Sequence, residues 1–106
     1  MTALKDQHCR HQSGAAMTDD ETARHLAEVP GWTVDDGALC KRYDFTDFHQ
    51  TMAFVNAVAW IAHQQDHHPQ MQVGYNHCLL RWNTHSVGGL SVNDFIAAAR
   101  VDALRG

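Results

Sequence analysis

An α+β fold, with helices packed on one face of a four-stranded antiparallel sheet, is predicted by three observations on this 106-residue chain. Two helix-start signatures stand near its ends, Thr18-Asp19-Asp20-Glu21 and Ser91-Val92-Asn93-Asp94, each with an acid three positions after a hydroxyl. A long apolar stretch of helical period lies between them, and a pair of short strand-like runs flanks it on either side. The order is helix, hairpin, helix, hairpin, helix, which one sheet covered on one face satisfies.

Residues 1–16 are polar and show no apolar period, so they are expected as a flexible extension, with Met17 a candidate start. A single domain is expected over 17–106. Its first helix follows the Thr18 box to about Val29, with Leu26 as an inward anchor, and Pro30-Gly31 ends it. Trp32-Thr33-Val34 reads as a strand, Asp35-Asp36-Gly37 as a turn, and Ala38 to Phe45 as the hairpin partner. In that partner Leu39, Lys41 and Tyr43 share one side, and Ala38, Cys40, Arg42 and Asp44 the other.

Thr46 is the expected N-cap of the central helix, with Asp47 at the positive end of its dipole. Phe48, Met52, Val55, Ala59 and Ala62 form its expected buried stripe, widened by Phe54, Val58 and Ile61. Gln70 to Tyr75 and Cys78 to Ser86 read as the second hairpin. Leu80, Trp82 and Thr84 fall on one face by parity, and Leu79, Arg81, Asn83 and His85 on the other. Gly88-Gly89 breaks the strand, and the last helix runs through Phe95, Ile96, Ala99 and Leu104.

Composition narrows the function. The apolar fraction of 44% is that of an ordinary globular protein, and the net charge is −4 with histidines neutral. Lys and Arg are scattered, which gives no footprint for nucleic acid. Cys9, Cys40 and Cys78 are odd in number and widely spaced, as in a reduced compartment. No window reads as a membrane span or a secretory leader, so a soluble, cytoplasmic protein is expected.

Chemistry concentrates in Asp66-His67-His68-Pro69 and Asn83-Thr84-His85. Imidazole is the side chain whose unperturbed form gives and takes protons near neutrality, and three converging on one pocket suggest acid–base work. Pro69 disfavours the α conformation at His68, so the central helix should unwind there and project the pair from a loop. Asp66 is then placed to orient an imidazole. Two other readings stand beside this one. In a chain with nine histidines these can be surface residues, and His63 and His67, four apart, could grip a zinc ion if the helix stays regular. No glutamate base lies between the latter two, and no CxxC, Gly-x-Ser-x-Gly, phosphate-binding loop or dinucleotide fingerprint occurs.

Asp66-His67-His68-Pro69, Thr84-His85, Gly89-Leu90-Ser91 and Asp94-Phe95-Ile96-Ala97, with upstream Gly31-Trp32 and Tyr43-Asp44-Phe45-x-Asp47-Phe48, resemble the pterin-4a-carbinolamine dehydratase family over about Met17 to Leu104. The resemblance implies a hydro-lyase that removes water from 4a-hydroxytetrahydropterin and yields quinonoid dihydropterin. Such an enzyme recycles the pterin of aromatic amino acid hydroxylases, which makes such a hydroxylase a pathway partner. It implies no metal and no organic cofactor. The acid–base pair would be His67 and His85, with His68 holding the substrate. Asp66, Asn83, Thr84 and Ser86 would lie in the substrate-contacting stretches. It implies homodimers or homotetramers. It also leaves open a non-catalytic role as a dimerisation cofactor of a transcription factor, or a role in molybdopterin metabolism. This chain departs from some members at Met71, Asn83 and Ser86. Activity that falls on the acid side of the histidine range, about pH 5 to 8, is expected.

Overall fold

The computed structural model describes residues 2–104. Helix α1 (Asp19–Leu26) begins at the expected capping box: Thr18 Oγ1 accepts from the Glu21 amide, and the Glu21 carboxylate accepts from the Thr18 amide. It ends at Leu26, short of Val29, whose amide bonds to the Leu26 carbonyl in a turn. The helix reaches the core through Leu26 and through the His25 ring, which lies 5.2 Å from that of Phe95.

Strands β1 (Thr33–Asp35) and β2 (Ala38–Asp44) form the first hairpin, in register Val34 opposite Leu39. Asp36 and Gly37 both take positive φ, 48° and 72°, as a two-residue turn between right-twisted strands demands. The second hairpin is β3 (Gln70–Val73) with β4 (His77–Trp82). Strand order in the sheet is β1-β2-β4-β3, antiparallel throughout. The β4 strand stops at Trp82. His85, expected near a strand end, instead opens a short 3₁₀ turn, His85–Val87, closed by Gly88 at φ 68°.

The strand parities hold. Leu39 and Tyr43 share a face with Cys78, Leu80 and Trp82, all buried, while Arg42, Asp44, Gln70 and Gln72 stay exposed on the other. Helices α2 (Phe48–Gln65) and α3 (Val92–Ala103) close the apolar face around Phe95, Ile96 and Val101.

Two expectations for α2 need correction. Its N-cap is Asp47, not Thr46: the Asp47 carboxylate accepts from the Gln50 amide, and that choice brings a charge to the dipole's positive end. Its buried face is Thr51, Phe54, Val58, Ile61 and Gln65, whereas Phe48 is 46% exposed and Ala59 lies on the surface. The helix is apolar around most of its girth, so period alone does not choose the stripe; Thr51 does, because its hydroxyl donates to a carbonyl of its own helix or of the Tyr75 loop.

The stretch read as a flexible extension lies against the domain. Leu4 is buried in the core, Gln7 carbonyl accepts from Arg100, and the Met17 amide donates to Leu90 carbonyl. Among the described residues no helix is long and apolar enough to cross a membrane. All three cysteines are free; Cys40 and Cys78 are buried.

Candidate active site

The loop that carries the histidine pair is set by how α2 ends. Asp66 takes the left-handed conformation, φ 50° and ψ 43°, its amide donating to His63 carbonyl and the His67 amide to Ala62 carbonyl. Those two bonds are the Schellman pattern, with aspartate where glycine is usual. The chain reverses there, and Pro69 prevents the helix from resuming. His63 and His67 therefore share no helix face. His63 stacks on Trp60 instead, and among the described residues no three His, Cys, Asp or Glu side chains group to hold a metal ion.

The reversal carries the His67 ring inward. Only 11% of that side chain is exposed, and the ring stacks on Trp82 with centroids 5.5 Å apart and planes 18° from parallel. Its Nε2 lies 2.6 Å from Oδ1 of Asp94. The orienting carboxylate is thus Asp94 of α3, not Asp66, whose side chain stays on the surface. Asp94 is fully buried and its Oδ2 accepts from the Ser91 amide and the Thr84 hydroxyl, each at 2.9 Å. Ser91 Oγ lies 2.7 Å from Thr84 Oγ1 and accepts from the Asn93 amide. The chain of donors runs consistently from Asn93 through Ser91 and Thr84 to the carboxylate. A carboxylate satisfied on both oxygens holds the imidazole in one orientation, and Nε2–H as the donor leaves Nδ1 as the ring's acceptor.

His67, His68 and His85 line one cavity of about 320 Å³, a size within reach of a small heterocycle. Asp66, Asn83, Thr84 and Ser86 line it too, so every residue that the resemblance implies for the site is gathered there. Thr84 is buried and its hydroxyl is spent on Asp94 and Ser91. Its contribution is to the framework behind the imidazole.

Gln65, Asn93 and the stretch from Cys9 to Gln12 complete the wall. The Cys9 amide donates to Gln65 Oε1 at 2.8 Å, and Asn93 brackets Arg10 with two bonds, Oδ1 accepting from its amide and Nδ2 donating to its carbonyl. Burial, reinforced by the nearby Asp94 charge, pushes the Cys9 thiol up to about 11, against a smaller opposite pull from Arg100. Sequence reasoning missed Asp94 as the orienter, and missed Gln65 and Asn93. The signal available was a glutamine that follows Phe54, Val58 and Ile61 on the buried stripe.

Residues 15–104 match the family model for Pterin 4 alpha carbinolamine dehydratase. The chain belongs to this family. Relatives from Hydrogenovibrio crunogenus (47% identical over 106 residues, covering 96% of this chain and 94% of theirs) and Nitrosomonas eutropha (46% over 104 residues, 95% and 92%) are provisionally named pterin-4-alpha-carbinolamine dehydratases. The crystal structure of a transcriptional coactivator/pterin dehydratase from Brucella melitensis superposes with a TM-score of 0.82 at 29% identity, covering 86% of this chain and 99% of that one. A pterin dehydratase-like protein identified as a RuBisCO assembly factor in the alpha-carboxysome superposes less closely, with a TM-score of 0.58 at 30% identity over 71% of this chain and 87% of that one. The family model begins at residue 15, so the Cys9–Gln12 part of the cavity wall lies outside it.

Proposed function

We propose that this member dehydrates 4a-hydroxytetrahydropterin to quinonoid dihydropterin by acid–base catalysis between imidazoles, recycling the pterin that aromatic amino acid hydroxylases use. The observation that carries the reading is the convergence of His67, His68 and His85 on one cavity, with His67 locked by buried Asp94. Water leaves C4a when its hydroxyl receives a proton, while the N5–H bond yields its electrons to form the N5=C4a double bond and its proton passes to a base. His67 suits the base. Its Nδ1 is the acceptor left by the Nε2 contact, and the carboxylate across the ring offsets the charge gained with the proton. His85 supplies the proton to the departing hydroxyl, and His68 holds the substrate between them. Asp66, Asn83 and Ser86 contact the ring's polar edge. One positioned acid or base contributes about a hundred- to ten-thousand-fold.

The reading is tested by following freshly generated 4a-hydroxytetrahydropterin by stopped-flow ultraviolet absorbance, with and without a chelator. Acceleration by wild type in chelator, lost in His67→Ala and His85→Ala, supports it. No acceleration by wild type defeats it, and activity that vanishes only with chelator points to a metal instead.

A second reading, a partner-binding role, is favoured by the apolar side chains that α2 and the following loops leave uncovered. Trp60 is 60% and Tyr75 66% exposed, and Phe48 stacks on Tyr75 at 6.4 Å. The Phe48–Tyr75 pair and Trp60 are the parts of the surface we assign to self-association as a homodimer or homotetramer. Free cysteines accord with a cytoplasmic setting.

A further inference from the structure

Arg10 lies in the cavity wall, where a buried carboxamide holds its backbone. Its own amide and carbonyl are both bonded by the Asn93 carboxamide, at 3.0 and 2.7 Å, and Asn93 is nine-tenths buried. One residue earlier, Gln65 fixes the Cys9 amide from the buried end of α2. Residues 9–12 are therefore a strap anchored from both helices that bound the cavity.

The strap changes the charge of the wall. Among the described lining residues Arg10 is the one permanent cation and Asp66 the one carboxylate; the remaining titratable groups are imidazoles and the protonated Cys9 thiol. The Arg10 guanidinium has no hydrogen-bond or ion-pair partner among the described residues. An immobilised backbone that sets an exposed, unpartnered arginine in the wall of a substrate cavity, on its border with the cavity lined by Asp6, His8 and Glu28, suits that residue to reading an anion. His67, His68 and His85 account for the ring chemistry without it, so its target lies on the substituent that points out of the cavity.

We infer that the site prefers pterins whose C6 side chain carries an anionic group, and that Arg10, placed by Asn93 and Gln65, is the residue that recognises it. This rests on the dehydratase reading for the pterin ring and adds the class of side chain. A phosphate ester and a carboxylate share the chemistry required.

The test is equilibrium binding to the full chain, read by pterin fluorescence, of neutral biopterin against two anionic probes, neopterin monophosphate and 6-carboxypterin. Wild type is expected to bind at least one anionic probe about tenfold more tightly than biopterin, and to lose that margin in half-molar salt. Which probe gains distinguishes phosphate from carboxylate. The margin should vanish in Arg10→Gln, persist in part in Arg10→Lys, and shrink in Asn93→Ala, which frees the strap but keeps the charge. Equal affinity of wild type for neutral and anionic probes overturns the proposal alone. So does an undiminished margin in Arg10→Gln. Binding of none of the three by wild type overturns it together with the dehydratase reading.

Discussion

Helix α3 carries an aspartate near each end, and each gathers three donors. Asp94 takes His67 Nε2, the Thr84 hydroxyl and the Ser91 amide. Asp102, about 12 Å further along the axis, takes Trp32 Nε1, Lys41 Nζ and the Tyr43 hydroxyl. The hydrogen-bond count is the same; the surroundings are not. Asp102 is partly exposed, and its indole, phenol and ammonium donors pin the helix to the sheet. Asp94 is sealed from water, and one of its donors is an imidazole that lines an open cavity. A partly exposed carboxylate that ties a helix to the sheet is a brace. A buried one that fixes a proton-transfer group beside a cavity is part of a reaction site.

Substitutions separate the two aspartates. The largest effect is expected for His67→Ala, a loss of dehydration rate of about a hundred- to ten-thousand-fold with the fold retained, read by stopped-flow kinetics and circular dichroism. Asp94→Asn should follow, with kcat down about a hundredfold and stability lowered by about 1–3 kcal/mol, because the Ser91 amide, the Thr84 hydroxyl and the imidazole compete for one carbonyl oxygen. Asp102→Asn should cost about 1–2 kcal/mol in urea unfolding, a few degrees in Tm, and leave kcat within about threefold of wild type. Equal kinetic losses at the two aspartates would dissolve the distinction.

A pH measurement bears on the strap at the Asp94 end. Desolvation disfavours the Cys9 thiolate and Asp94 adds to that, so at about 11 the thiol is essentially all protonated at neutrality. Alkylation of Cys9 by iodoacetamide should be slow at pH 7.5 and rise roughly tenfold per unit until about pH 10. A rate that levels off near pH 8.5, as for a free cysteine, would mean that the strap does not cover the thiol. The smallest effect belongs to Asp66→Gly, expected to change stability by less than about 1 kcal/mol, since glycine removes the penalty of the left-handed conformation and increases unfolded-state freedom.

Much of this was legible in the sequence for local reasons. The Thr18 and Ser91 boxes, the Asp36-Gly37 turn, and the alternation through Leu80 and Trp82 depend on neighbours in the chain, and all appear in the structure. The family resemblance reached through the histidine segments likewise stands. The buried face of α2 was not legible, because apolar residues surround that helix and the deciding groups, Thr51 and Gln65, are polar. Asp94 is the acid of the Ser91 capping box, as its spacing implies; its bond to His67 joins residues 27 apart and leaves no local trace. The strap was hidden for another reason. It is held mainly through backbone amides and carbonyls, which every polar segment possesses, so composition says nothing of where it lies.

The most direct test of the central claim is single-turnover decay of 4a-hydroxytetrahydropterin with wild type, Asp94→Asn and Asp102→Asn, each checked to be folded at the assay temperature. The site described here predicts rapid water loss with wild type and Asp102→Asn and a collapse of rate with Asp94→Asn. Folded Asp94→Asn turning over at the wild-type rate would contradict it.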